Sequence, residues 1–163
     1  MGVHVHLHGY SEADRRTALA EAIALIEHVR ALGQPADFID IGGGVPMSYL
    51  ESREQWEYYL ERIASQRTGT GKPFTWKADP LSNTYPFWQE PTRGQWLDQL
   101  LSGEVPGYGT AGTALRERDI ALHLEPGRSL LDGCGVILAE VSFLKERSDG
   151  LPLIGVAMNR TQC

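Results

Sequence analysis

Apolar and polar residues alternate from the start of the chain: Val3, Val5 and Leu7 take every second place, and His4, His6 and His8 fill the places between. A two-residue period predicts a short strand over 3–7 with the histidines on one face. From Ser11 the period changes. Leu19, Ala22, Ile23, Ile26 and Val29 recur at the spacing of one buried helix face. Ser11 is a suitable N-cap, and Glu12 and Asp14 put negative charge in the first turn, where the helix dipole favours it. Gly33 is expected to stop the helix, with Pro35 close behind. Phe38-Ile39-Asp40-Ile41 reads as a second strand that runs into Gly42-Gly43-Gly44. Strand, helix and strand in this order form a βαβ unit, which predicts parallel pairing.

Trp56, Tyr59, Leu60 and Ile63 mark a second amphipathic helix over about 52–65. The stretch 68–113, rich in glycine, proline and aromatics, predicts one short helix over 95–101 and otherwise an irregular insertion. Ile120 to Leu124 reads as a third strand, ending in Glu125-Pro126-Gly127-Arg128. Two further strands are expected over 136–144 and 151–158. The polar turn 145–150 between them predicts a hairpin. The pattern therefore changes near Ser129 from strand–helix crossovers to antiparallel β. This divides the chain into 1–128, with the insertion, and 129–163.

Length and charge narrow the classes. At 163 residues the chain can bury a real core, but a complete (β/α)₈ barrel needs about 250. A net charge of −6, with no basic stripe, argues against a nucleic-acid partner. No apolar run is long enough to span a membrane, and no secretory signal pattern opens the chain. Two cysteines, Cys134 and Cys163, are too few for a disulfide framework, so a reducing cytoplasm is the expected location. Cys134 itself is expected to be small and buried.

Chemistry concentrates at three strand ends. Gly42-Gly43-Gly44 could curl its N–H groups around a phosphate, or be a tight turn only. Glu125 could hold a proton on a pyridine nitrogen through a charge-assisted hydrogen bond, and Arg128 offers a fork for a carboxylate or phosphate. Glu125 and Arg128 could equally be a strand-end ion pair. His6 could stack on a cofactor ring. Alternatively, the His-x-His-x-His run could bind a divalent metal, since neutral imidazole is a good zinc ligand, and His123 and Glu125, on one strand face, could complete that site. The lysines Lys72, Lys77 and Lys145 lie at none of these strand ends and read as surface residues.

The order of these motifs resembles the ornithine/diaminopimelate decarboxylase group, the fold-type III (alanine racemase-like) enzymes that use pyridoxal 5′-phosphate (PLP). The residues that carry the likeness are Gly2-Val3-His4-Val5-His6, Ile39-Asp40-Ile41-Gly42-Gly43-Gly44-Val45-Pro46, Leu124-Glu125-Pro126-Gly127-Arg128-Ser129, Gly135 to Val141, and Ala157-Met158-Asn159. The likeness implies an α/β fold: a partial (β/α)₈ TIM-type barrel of parallel strands, followed by the start of an antiparallel β domain. It implies that His6 stacks on PLP, that Gly42, Gly43 and Gly44 receive its phosphate, and that Glu125 pairs with its ring nitrogen. Gly127 and Arg128 would sit at the phosphate or the substrate carboxylate. His6 and Glu125 are then the catalytic pair, and no metal is assigned.

The chain departs from that pattern in places. His8 and Gly9 stand where the family has Gly-Ser, and Gly155-Val156-Ala157-Met158-Asn159 lacks an aspartate. The family's Schiff-base lysine lies on a strand before the histidine strand, so the 163-residue chain by itself is expected to be inactive. The parent protein is expected to be a cytoplasmic homodimer, a lyase that decarboxylates an amino acid. Two other readings stay open. One is a barrel-type metal hydrolase using His4, His6 and His123. The other is a non-catalytic homologue that binds a partner protein.

Overall fold

In the computed structural model the described residues are 1–71, 75–76, 79–80, 85–159 and 161. Their elements run β1 (Gly2–His4), α1 (Glu12–Ala31), β2 (Phe38–Asp40), α2 (Arg53–Arg67), β3 (Thr75–Trp76), β4 (Asp79–Pro80), α3 (Arg93–Ser102), β5 (Glu104–Val105), β6 (Gly109–Thr110), α4 (Ala111–Glu117), β7 (Ala121–His123), α5 (Arg128–Leu131), β8 (Val141–Glu146) and β9 (Pro152–Val156). The chain divides into two compact units, Met1–Leu130 and Leu131–Cys163.

The first unit is built on α1 and a three-stranded sheet. Ser11 Oγ accepts the Asp14 N–H at 3.1 Å, so the helix starts at its expected cap. It ends through Gly33, whose φ of +79° suits a residue without a Cβ. Arg15, Leu19, Ala22, Ile23 and Ile26 form its buried face. Each fully buried Leu or Ile there contributes about 1.5–3 kcal/mol. Strands β1, β2 and β7 pair in parallel, in the order β1-β2-β7, with Val3 opposite Ile39 and Ile39 opposite Leu122. Those three belong to the core with the α1 face, while His4, Ala121 and His123 on the opposite face are exposed.

The expected partial (β/α)₈ barrel is not the architecture. The parallel strands make one three-stranded sheet, and every other strand pairs antiparallel in a two-stranded ladder: β3 with β4, β5 with β6, and β8 with β9. A barrel needs each strand to find a neighbour on both sides. Among the described residues between β2 and β7, the strands formed are two-residue hairpin partners, so they add nothing to the parallel sheet.

The short helix expected over 95–101 is α3, and the later part of 68–113 around it packs in the core and is not an irregular insertion. Trp96 and Leu100 of α3, Val105 of β5, and Ala111 and Ala114 of α4 are buried in the cluster around Leu19 and Ile39. Thr110 caps α4 by accepting the Thr113 N–H. On α2, by contrast, only Ile63 is buried, and Leu60 is exposed. Trp56 stacks on Tyr59 at 5.3 Å and meets Phe87 edge-on at 5.8 Å.

The second unit is the β8–β9 hairpin with the segment leading into it. The register runs from Val141 opposite Val156 to Glu146 opposite Pro152, with an irregularity between Val141 and Phe143. The strand begins at Val141, not at 136: the Glu140 carbonyl still accepts the Ala157 N–H at 2.8 Å, and among the described residues 136–139 belong to no strand. Cys134, expected buried, is exposed.

Candidate functional site

Strand register places the chemistry. His4 is opposite Asp40, and Asp40 is opposite His123. The ladder continues past the strand ends: Val5 N–H donates to the Asp40 carbonyl (2.8 Å), Ile41 N–H to that of His123 (3.1 Å), and Glu125 N–H to that of Gly42 (2.9 Å). With alternation fixed, His4, His6, Asp40, Gly42 and Glu125 all fall on the face turned away from the core. His4 Nδ1 lies 3.5 Å from Asp40 Oδ2, and His6 Nδ1 lies 3.7 Å from Glu125 Oε2. The His4 and His6 rings stack with centroids 5.9 Å apart.

The glycine loop does three different jobs. Gly42 N–H donates to Asp40 Oδ1 at 2.8 Å, and a Cβ at Gly42 would press on the His6 ring. Gly42 therefore gives room to His6. Gly43 and Gly44 line the cleft next to Glu125. Gly44 has φ +81°, and a Cβ there would run into Arg15 Nη2 and the Gly9 carbonyl.

Arg15 is the site residue that sequence reasoning missed. Only 1% exposed, it donates from Nη1 to the Ser11 carbonyl (3.1 Å) and from Nη2 to those of Gly9 (3.0 Å) and Gly43 (2.7 Å). Its guanidinium lies 5.3 Å from the centre of the Trp96 ring, whose Nε1–H donates to the Tyr10 carbonyl at 2.8 Å. Burial pulls the Arg15 pKa below its ordinary value, and the charge of Asp14 opposes that shift. One buried cation thus ties the loop after β1 to the loop after β2. The available signal was its phase: 15, 19, 22 and 26 share one helix face.

His6, Gly43, Gly44 and Glu125 line a cleft of about 1060 Å³, together with Tyr85 and Phe87. Gly127 and Arg128 do not line it. Gly127 turns the chain with φ +53°. Arg128 donates to Tyr10 Oη at 2.8 Å and lies 4.4 Å from the centre of the Tyr85 ring, so it braces the wall. An ion pair between Glu125 and Arg128 is not among those of the described residues. His8 lines the cleft as well. His123 stacks on Phe38 at 4.5 Å. Lys145 is in β8, and Lys72, Lys77 and Cys163 lie outside the described residues.

No protein-family model matches the chain. It is 35% identical over 145 residues to a protein of Sinorhizobium fredii (strain NBRC 101917 / NGR234) described as "Uncharacterized protein y4yA". That similarity takes in 88% of this chain and 30% of the relative, so the chain spans under a third of the relative's length. No solved structure matches. Among the described residues, no helix is long and apolar enough to cross a membrane.

Proposed function

We propose that the chain supplies the cofactor-binding face of a PLP-dependent amino-acid decarboxylase of the ornithine/diaminopimelate type. The observation that carries this reading is the meeting of His6 and Glu125 at 3.7 Å beside Gly43 and Gly44, in one aromatic-walled cleft. The residues fit the group. Gly43 and Gly44 leave backbone, not side chain, at the cleft wall, as close approach of a phosphate requires. Glu125 is a half-exposed carboxylate able to hold a proton on a pyridine nitrogen. His6 offers an exposed ring for stacking, and Gly42 leaves room for it. Tyr85 and Phe87 add aromatic surface to the cleft wall.

When bound, PLP supplies a conjugated ring that accepts the electron pair left as carbon dioxide departs. The contribution of this chain is to bind and orient that ring and to keep its nitrogen protonated. Arg128, which braces the cleft wall through Tyr10 and Tyr85, acts on binding through the wall. The same reading makes the full-length protein a cytoplasmic homodimer acting on an amino acid.

The test is calorimetric titration of the 163-residue chain with PLP. One equivalent is expected to bind. Glu125→Ala and Gly43→Val are each expected to weaken it by about tenfold or more, the scale of one charge-assisted contact. Absence of saturable binding, or binding indifferent to both changes, would sink the reading.

A further inference from the structure

We propose that His4, Asp40 and Glu125 form a binding site for a divalent transition ion, zinc in the first place. One donor atom from each, an imidazole nitrogen and two carboxylate oxygens, lies within 4.8 Å of the others. The His4 Nδ1 to Asp40 Oδ2 distance is 3.5 Å. Around a tetrahedral ion with bonds of about 2.0–2.1 Å, neighbouring donors stand roughly 3.3 Å apart. The first pair is therefore already near ligand spacing, and Glu125 has a short way to close.

The donors are held by the sheet, not by a mobile loop. His4 and Asp40 are register partners on adjacent strands, and Glu125 is fixed through its N–H on the Gly42 carbonyl. Asp40 offers one oxygen to His4 while its other accepts the Gly42 N–H at 2.8 Å. That backbone contact orients the ligand as outer-shell partners do. Mixed imidazole and carboxylate donors suit zinc or a neighbouring transition ion, whereas magnesium and calcium favour oxygen alone. Two carboxylates would be neutralised by one divalent charge. The His4 and Glu125 side chains are 50% and 52% exposed, so an ion can enter without any part of the chain opening. Three protein donors leave a fourth position for water, and His6 stands beside it at 3.7 Å from Glu125.

This inference goes beyond the cofactor reading and does not rest on it, since His4 and Asp40 take no part in holding PLP there. The two share Glu125, so ion and pyridine ring exclude each other. The site also differs from the set that the sequence suggests, the histidine run completed by His123 and Glu125, because Asp40 enters and His6 and His123 are not ligands.

The test uses the whole chain after chelator treatment, titrated with Zn²⁺ by calorimetry and with Co²⁺ by visible absorption. One equivalent is expected, with an intense tetrahedral Co²⁺ spectrum. His4→Ala and Asp40→Asn should each weaken binding by more than the roughly 10–100-fold that loss of an outer-shell partner costs. Asn keeps an oxygen for the Gly42 N–H, so a folded chain, checked by circular dichroism, is expected. His28→Ala, on the exposed side of α1, should leave binding unchanged. Failure to bind one equivalent, or binding that survives both His4→Ala and Asp40→Asn but falls with Cys134→Ser, would overturn the site. The two proposals fail separately: His4→Ala should lose zinc yet keep PLP, and loss of PLP with zinc retained would count against the cofactor reading alone.

Discussion

The residues 1–130 and 131–163 use the same apolar vocabulary and reach opposite results. In the first unit Leu19, Ile23, Ile26 and Ile39 are wholly buried among Trp96, Leu100 and Val105. In the second, Val136, Leu138, Val141, Phe143, Leu144 and Ile154 are all exposed, Leu138 to 91%. The difference lies in what the strands are given to pack on. Strands β1 and β2 have α1 laid against them, and β7 has α4. Within the second unit, β8 and β9 pair with each other among the described residues, and a two-stranded hairpin alone is marginal in water. Strand-like patterning therefore decides pairing here, and only a crossover helix converts pairing into a core.

The largest expected effect breaks that contrast directly. Leu19→Ala in α1 should destabilise the first unit by about 2–5 kcal/mol, as transfer and cavity terms add in a site that cannot collapse. Leu144→Ala in β8 should change stability by no more than about 0.5 kcal/mol. Urea unfolding of both variants measures the difference. Equal costs would mean that the hairpin has a core of its own.

The next effect tests the buried cation. Arg15→Met keeps the bulk of the side chain and removes its donors from the carbonyls of Gly9 and Gly43. Leaving such acceptors unmet costs about 1–3 kcal/mol each, against which relief of the guanidinium's own burial must be set, so a loss of about 2 kcal/mol is expected. Urea unfolding reads the stability. Binding of PLP should weaken with it, since Arg15 fixes the loops that carry Gly9 and Gly43.

How far the sequence disclosed this arrangement can be read from particular residues. The α1 face was legible because Leu19, Ala22, Ile23 and Ile26 keep helical phase, and the cap at Ser11 is local chemistry. Arg15 shares the phase but was hidden, because a charge is not counted in an apolar stripe. Helix α4 escaped notice because Ala111 and Ala114 pack through small size and give little periodic signal. The start of β8 was misjudged because Val136 to Leu138 look like strand but pair with no strand among the described residues. Closure of the sheet was not legible either, since three strands and their crossovers leave open whether a barrel or a small sheet results. At the site, the strand ends bearing His6, Gly42 to Gly44 and Glu125 stood out by composition. The pairing of His4 with Asp40 needed the register, which depends on contacts distant in sequence.

Hydrogen exchange sharpens the comparison at the level of single amides. Protection should be greatest for Ile39 and Ile41 and for the middle of α1, whose opening requires loss of the core. It should be least for Phe143 to Glu146, whose opening breaks a single exposed ladder. Comparable protection in β8 and β2 would show that the exposed hairpin is held by something beyond its own cross-strand bonds.

The smallest effect concerns charge at the start of α2, in the less buried part of the first unit. The Glu54 carboxyl is held below its ordinary pKa, first by a hydrogen bond from the Ser52 side chain and then by its own backbone N–H. A carboxyl with a depressed folded-state pKa lends stability above its unfolded value of about 4.3, and that stability is lost as pH falls through the folded value. Helix α2 should therefore begin to fray from its N-terminus below about pH 4.3, while Leu19 and Ile39 stay packed. Because Glu54 is fully solvated, the change should be confined to the first turn. A carboxyl titration by NMR checks it: Ser52→Ala should raise the Glu54 pKa toward the ordinary range, and an unmoved value would show that Ser52 is not the group responsible.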